Sequence, residues 1–591
     1  MPGFLVYIGK KDLNFAPETR SKLVINHTCG KDYQVESRVV NKFMNDRIFV
    51  DTDNYLVVVE GIVLNNHDLM KQYQMDTWKD CVIRMYEIVG DAFFETFRGS
   101  FSGVLYDKRQ DKWLIYTDHI GEKQVFVSKT PNGYLFASEM RFIVETRKAN
   151  RLSCTLDETG AYFTITHGFC IEDLTLVQEV RKLTAGQYFC LHGDKLEQLT
   201  YYRFTNQPNN QMTQEEAVEG IDKFFRQAIK RAFEKDREYG YKHFACLSGG
   251  LDSRMTVWVA HKMGYTKQLN ITFSESGYWD FSIAQQIAID LHHDWLFKPL
   301  DGGNCIELLE EATRITYGAA NSFNLCHGKS MEDLINYEPF GIIHTGQIGD
   351  SVVGTFFTKL DYIKEVKVGQ AAYSQEIIER LANYHFQQQY DNEEMFCLYS
   401  RAFTGANQGL LTFQENSESY SPFTDVDFLC FCYTIPLELR FNHKIYFDWI
   451  LTKYPEAANY IWEKTRSYIR PFTNTKPRIM NVFGYEVPCF TDPNFGSYLH
   501  GFIRRRLGLQ KKGEKAATVT MLTKDNMNPI DYWYNTNLAF RDFIQEYWKR
   551  YEHLLPNNQF GADMRHLFYD CVLYEKLQAL TVLSAIKLLN E

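Results

Sequence analysis

The chain has 591 residues, a net charge of -10, 45% hydrophobic residues and 15% aromatic residues. That length exceeds one hydrophobic core and predicts about two to four domains. The acidic balance argues against a nucleic-acid partner, which needs a basic surface. No apolar stretch reaches the ~20 residues of a membrane helix. Thirteen scattered cysteines without a secretory leader read as free thiols, so the expected location is the cytoplasm, away from membranes. Arg504, Arg505, Arg506, Lys511 and Lys512 form a short basic cluster, read as a solvated face or loop.

From the start to about residue 204 the pattern is rich in strands. Apolar runs at 55–59 and 62–64 flank a Glu60-Gly61 bend, and runs at 103–106 and 113–116 flank a polar hairpin connection. Asn132-Gly133 marks a turn into a strand at 134–137. Between the first two groups, 78–89 reads as a helix with Cys81, Val82, Met85, Ile88 and Val89 on one face. Such a mixture predicts an α+β layered domain.

A helix over 211–234 follows, with Thr213 and Glu216 as a capping box and Val218, Ile221, Phe225, Ala228, Ile229 and Ala232 as its apolar stripe. Buried strands end at Ser248-Gly249-Gly250, at Ser274-Glu275-Ser276-Gly277 and at Thr345-Gly346-Gln347, with helical spacing after the first two. Strand-helix alternation predicts a parallel sheet whose ligands bind at the carboxyl ends of the strands. The Gly-Gly turn lets the backbone approach an anion, and the first N–H groups of the next helix point at it. Leu247 to Ser253 are therefore candidate phosphate contacts. Asp252 is the odd member, since a carboxylate beside phosphate calls for a bridging cation such as Mg²⁺. His292-His293 does not suit one metal ion, because adjacent histidines at a helix end face apart. The chain is expected to end in one amphipathic helix over 563–590.

The run Leu247-Ser248-Gly249-Gly250-Leu251-Asp252-Ser253 resembles the pyrophosphate loop of the N-type ATP pyrophosphatases. Further residues resemble the asparagine synthetase family. Glu60 to Asn66, Thr117 to Lys123, Phe136-Ala137-Ser138-Glu139 and Leu183-Thr184-Ala185-Gly186 follow the order of that family's glutaminase domain. His344 to Ser351, Ser421 to Asp425 and Lys464, twenty residues beyond Lys444, follow its synthetase domain. The resemblance implies an Ntn-hydrolase-like α+β sandwich over 1–205, then an α/β parallel-sheet ATP-pyrophosphatase domain, adenine nucleotide alpha-hydrolase-like, over 206–591. It implies ATP and Mg²⁺ as cofactors, Asp252 and Asp350 as metal ligands, and Thr272 and Phe273 beside the base. Thr345 and Gly346 then line the α-phosphate, and Lys464 is the catalytic lysine. No counterpart was found for 360–415 or 474–529; the latter reads as loop-rich.

The departures bear on function. Pro2 stands where glutamine-hydrolysing members carry a nucleophilic cysteine. Glu60 falls at the family's glutamine-binding asparagine, and Trp78, or Asp80 with a small shift, at its binding aspartate. These exchanges predict no glutaminase activity. Gln347 replaces a catalytic glutamate and Ser351 a final acid. The site pattern is closer to beta-lactam synthetases and lasso-peptide cyclases, in which the substrate itself carries the amine. The expected activity is therefore an AMP-forming carbon–nitrogen ligase with a carboxylate- and amine-bearing small molecule or peptide as substrate, macrolactam closure being the first guess. A peptidase or carrier protein of the same pathway is a candidate partner. Ammonia-dependent asparagine formation and a non-catalytic nucleotide-binding scaffold stand as alternatives.

Overall fold

The computed structural model describes residues 2–10, 13–15, 23–354, 356–357, 360–471 and 524–591, with the backbone of a hairpin at Ile479–Val482 and Tyr485–Pro488. The basic cluster at 504–512 and most of the stretch expected to be loop-rich lie outside the described residues.

The first half contains β1 (Gly3–Gly9), β2 (Leu23–Cys29), β3 (Tyr33–Val40), β4 (Ile48–Asp51), β5 (Tyr55–Val63), β6 (Gly99–Asp107), β7 (Lys112–Thr117), β8 (Phe126–Thr130), β9 (Gly133–Ala137), β10 (Val180–Lys182), β11 (Gln187–His192) and β12 (Lys195–Thr200). They pair as two six-stranded antiparallel sheets, ordered β10-β8-β9-β1-β3-β2 and β12-β11-β7-β6-β5-β4. Strand β5 is buried on both faces, and its alternation shows why. Leu56 and Val58 point between the sheets, against Phe4, Val6 and Phe136. Val57 and Val59 point the other way, against Trp78, Cys81, Val82 and Met85. The outer layers are helices α1 (Asn66–Tyr73) and α2 (Trp78–Val89) on one sheet and α3 (Met140–Ala149) on the other. The result is an Ntn-hydrolase-like αββα sandwich.

Two expectations differ in detail. The bend at Glu60-Gly61 does not split the strand: pairing with β6 runs unbroken from Tyr55 to Val63. Gly61 takes φ 90°, and a Cβ there would meet the Ser100 carbonyl oxygen at 2.2 Å, so only glycine fits. On α2, Ile88 and Val89 are exposed rather than inward. Tyr86 takes the inward place, packing on Phe93 and donating its hydroxyl hydrogen to Asp107.

A helix α4 (Glu158–His167) leads toward the second half. There α5 (Gln214–Glu238) starts with the Thr213/Glu216 capping box and runs a turn further than its apolar stripe predicts, burying Lys235 and Asp236. Strands β13 (Lys242–Cys246), β14 (Gln268–Ser274), β15 (Asp294–Pro299), β16 (Phe340–His344) and β17 (Ser419–Tyr420) form a parallel sheet ordered β15-β14-β13-β16-β17. Helices α6 (Leu251–Lys262) and α7 (Trp279–Asp290) cover one face with α5, around Ala245 and Ile342. The other face carries Phe244, Ile271 and Ile343 against Met331, Leu410 and Phe413. Further helices α8 (Leu309–Thr316), α9 (Ser322–Glu332) and α10 (Gly349–Gly354) complete the central region.

The carboxyl-terminal segment is two helices, Gln559–Tyr569 and Leu573–Asn590, not one. The second is not amphipathic. Leu577, Ala579, Leu580, Val582, Leu583, Ala585 and Ile586 bury nearly its whole circumference, and a helix apolar all round belongs inside. Its neighbours include Ala161, Phe163 and Ile165 of α4, so the two halves of the chain share a core. They also share buried ion pairs. Glu418 meets Arg47 at 2.6 Å and Lys123 at 2.8 Å, while Glu60 lies 3.3 Å from Lys123 and 3.5 Å from Arg47. Burial opposes ionisation of Glu418, but Lys123 and Arg47 overcome it and hold its carboxyl below the usual range. Among the described residues, no helix is long and apolar enough to cross a membrane.

Candidate active site at the parallel-sheet switch point

Strand β13 has β14 on one side and β16 on the other, so chain direction away from the sheet reverses between β13 and β16. A crevice opens at such a point, outside the carboxyl ends of the strands. The loops leaving β13 and β16 meet there. The Asp350 main-chain N–H donates to the Asp252 carboxylate at 2.9 Å, and the Tyr446 hydroxyl donates to the other carboxylate oxygen at 2.8 Å. Two glycines permit this approach. A Cβ on Gly346 would meet the Ser253 nitrogen at 2.2 Å, and one on Gly349 the Asp252 carboxyl carbon at 2.6 Å. Between them Ile348 sits at φ 60°, a conformation costly for a β-branched side chain, of order 1–3 kcal/mol. The neighbouring Gln347 is held at both ends: its side chain donates to the Ala406 carbonyl at 2.5 Å, and its own carbonyl accepts from the Ser421 hydroxyl at 3.0 Å.

The first loop is braced from inside. Ser248 and Ser253 share a hydroxyl contact at 2.9 Å, the Gly249 N–H donates to Asp280 at 2.8 Å, and the Gly250 N–H to the Ser248 hydroxyl at 3.2 Å. Gly250 caps α6 without a side chain, leaving the first-turn N–H groups for a ligand. Arg254 is fully buried and donates to the carbonyls of Gly249 at 2.8 Å, Ile461 at 2.7 Å, Ala457 at 3.2 Å and Tyr460 at 3.3 Å. Burial lowers its pKa to about 10, so the guanidinium remains charged. It ties the glycine loop to the segment that carries Lys464.

Lys464 stands at the tip of a turn. The turn is closed by the Trp462 N–H donating to the Ser467 carbonyl at 3.0 Å, and buried Trp462 packs on His443 and Phe447. From there the Lys464 ammonium reaches within 4.0 Å of Asp350. Burial, and then the Asp350 charge, push the Asp252 carboxyl well above the usual carboxylate range. Burial and the Lys464 ammonium together hold His443 low, as a neutral imidazole. Two adjacent carboxylates with a hydroxyl in support make an oxygen-rich set, and their mutual repulsion is what a hard divalent cation relieves. The residues present therefore fit Mg²⁺.

These groups line a cavity of about 470 Å³. Of the residues expected at the site, Leu247, Ser248, Gly250, Leu251, Asp252, Ser253, Thr272, Phe273, Thr345, Gly346, Asp350 and Lys464 reach its wall. Gly249 does not, its N–H being turned to Asp280. Thr272 reaches the wall with its hydroxyl engaged by the Leu247 carbonyl at 2.6 Å and the Trp295 indole at 2.9 Å. The sequence reading missed Arg254, His443, Tyr446 and Trp462. Arg254 alone had a local signal, following Asp252-Ser253 directly. The pair His292-His293 holds no metal-like geometry: His293 bonds His261 at 2.9 Å and Asn270 at 2.8 Å.

Pro2, at the head of β1, is buried and offers no nucleophile. Glu60 is engaged by the ion pairs above, and Trp78 packs on Phe97.

A model of the glutamine amidotransferase domain matches residues 42–202, and one of asparagine synthase matches 220–323. Asp350 and Lys464 lie beyond the matched stretch. A putative glutamine-hydrolysing asparagine synthetase 2 of Methanocaldococcus jannaschii is 23% identical over 335 residues, covering 54% of this chain and 63% of the relative. Asparagine synthetase 2 of Bacillus subtilis is 24% identical over 270 residues, covering 41% of this chain and 34% of the relative. The chain thus spans less than two thirds of these curated relatives. A glutamine phosphoribosylpyrophosphate amidotransferase from B. subtilis covers 69% of this chain and 88% of its own at 9% identity and a TM-score of 0.22, too weak a likeness to add anything. A glutamine amidotransferase match is thus followed in order by an asparagine synthase match, and the chain is similar to the asparagine synthetase family over these two stretches.

Proposed function

We propose that the chain is an AMP-forming amide ligase that activates a substrate carboxylate with ATP. The carboxylate oxygen attacks the α-phosphorus and pyrophosphate leaves. An amine then attacks the acyl carbon, loses a proton and displaces AMP. The observation that carries this reading is the convergence of Asp252, Asp350 and Lys464 on one crevice beside a glycine loop and a helix start.

Each residue has an assigned task. The first-turn N–H groups of α6 and the Ser248 hydroxyl hold phosphate oxygens. Asp252 and Asp350 would hold Mg²⁺, which when bound supplies neutralisation of phosphate charge. Tyr446 keeps Asp252 oriented. Lys464 offsets the charge that gathers as pyrophosphate departs; at ~4 Å and an effective dielectric near 20 a unit charge pair is worth about 4 kcal/mol. Thr272 and Phe273, at the end of β14, border the base, and Thr345 and Gly346 the α-phosphate.

The amine is assigned to the substrate. What supports this is the first half, where Pro2 lacks a nucleophile and Glu60 is held between Arg47 and Lys123. Ring closure of a peptide or of a beta-lactam-type substrate is the corresponding reaction class.

The test is ATP–pyrophosphate exchange with a panel of carboxylates that includes linear peptides and aspartate. Exchange with a peptide or other amine-bearing carboxylate, lost in Asp252→Asn, is expected. Exchange with aspartate, and asparagine made from added ammonia, would replace the amine assignment. No exchange with any carboxylate by the folded protein would leave a nucleotide-binding scaffold.

A further inference from the structure

Outside the lining of this crevice, three side chains of different chemistry meet at the surface where the carboxyl-terminal helices turn. His566 is in the last turns of helix Gln559–Tyr569, Cys571 is in the turn that follows, and Glu376 comes from a loop nearly two hundred residues earlier. One ligand atom from each lies within 4.8 Å of the others. We infer that Glu376, His566 and Cys571 form a zinc site that joins this loop to the carboxyl-terminal helical pair.

The sulfur–nitrogen pair has the dimensions of two ligands on one ion. With Zn–S near 2.3 Å, Zn–N near 2.0 Å and tetrahedral angles, sulfur and nitrogen ligands sit about 3.5 Å apart. The Cys571 sulfur and His566 Nε2 are 3.7 Å apart. The other ring nitrogen, Nδ1, lies 3.0 Å from the Asp570 carboxylate. A carboxylate on the far nitrogen selects the tautomer whose Nε2 lone pair faces the ion, and is the usual support of a ligating histidine. Thiolate, imidazole and carboxylate together favour Zn²⁺ over Mg²⁺ or Ca²⁺. His566 and Glu376 are exposed, so solvent water would be available to complete the ion's coordination.

The loop is already held in place. The Tyr373 and Ser374 N–H groups donate to the Thr166 carbonyl at 3.0 and 2.8 Å, and the Ser374 hydroxyl to Glu575 at 2.9 Å. Glu376 is thereby presented without the ion, so little ordering is left for binding. Ligation converts the Cys571 thiol to thiolate and releases its proton to solvent. The other cluster of this kind among the described residues, Asp236 with His243 and His344, is different: both rings bond one buried carboxylate oxygen, at 2.8 and 2.7 Å, and Phe233 stacks on His344.

The experiment uses the full chain without an affinity tag, stripped by chelator and dialysed against Zn²⁺ with Mg²⁺ in excess. One equivalent of zinc is expected, along with protection of Cys571 from alkylation, read by peptide mass spectrometry on the unmutated protein. Cobalt in place of zinc gives a thiolate charge-transfer band that Cys571→Ser abolishes. His566→Ala and Glu376→Gln weaken uptake, Asp570→Asn weakens it roughly 10- to 100-fold, and Cys29→Ser at an exposed cysteine leaves it unchanged. The inference is overturned if no zinc is retained, if zinc leaves Cys571 as reactive as before, or if Cys571→Ser and His566→Ala bind like the parent.

Discussion

The Asp350 amide donates to the Asp252 carboxylate at 2.9 Å, which brings two acidic side chains from different strand ends into one crevice. Burial penalises the Asp252 charge, and repulsion from Asp350 adds to that cost. Asp252→Asn removes one charge and keeps one oxygen to accept from the Asp350 N–H, while its amide NH2 replaces the oxygen that accepted from Tyr446 and donates to the Tyr446 oxygen instead. The substitution is expected to leave urea stability equal or higher without nucleotide, and to lower ATP–pyrophosphate exchange by about 100-fold or more. Loss of both together would mean a structural role.

Lys464 separates chemistry from stability more cleanly. Its side chain is half exposed and its nearest carboxylate is 4.0 Å away, so the pair contributes little to folding. Lys464→Met should change stability by no more than about 0.5 kcal/mol and reduce exchange by about 10²- to 10³-fold. Exchange at the parental rate would remove the lysine from the site.

Arg254 behaves in the opposite way. It is enclosed and holds four carbonyls, joining the glycine loop to the base of the Lys464 turn. Arg254→Ala leaves those carbonyls without a donor, at about 1–3 kcal/mol for each one left buried and unpaired. Urea denaturation should show a loss of several kcal/mol on that scale. Arg254→Lys should recover part of the stability and less of the exchange rate, since one ammonium cannot span the same acceptors.

A pH effect arises between the two halves. Burial, and then the nearby Asp118 charge, raise the Glu122 carboxyl to about 8; it accepts from Ser419 at 3.0 Å and Gln414 at 3.3 Å. Its folded pKa is above its unfolded value, so the folded state binds the extra proton. The stabilisation is complete below the unfolded pKa near 4.5 and is lost as pH rises through about 8. Glu122→Gln mimics the protonated form and should flatten this part of the stability–pH curve. Urea midpoints from pH 5 to 8.5 would test it; parallel curves for the two proteins would refute the assignment.

The loops of the site were legible because glycine-rich turns after buried strands announce themselves locally. Asp252 and Asp350 could each be found that way. Strand β15 escaped reading because its residues are mostly exposed or half-buried, which blurs the two-residue alternation. β17 is two residues long and gives no period at all. His443 and Tyr446 escaped for another reason: they reach the crevice from a helix start whose residues Asn442 and His443 both take positive φ, which spacing does not reveal.

By itself, the sequence pattern determined a strand-rich first region of α+β type, the strand-helix alternation of a parallel sheet after it, and the glycine turns at its strand ends. These depend on short-range periodicity and on turns that only a few residue types tolerate. Tertiary structure alone decided that α4 and the carboxyl-terminal helices share a core, and that Arg254 links the glycine loop to the Lys464 turn. It also decided that Glu376 lies beside His566 and Cys571. Those relations depend on which distant surfaces bury one another, and local spacing carries no record of that.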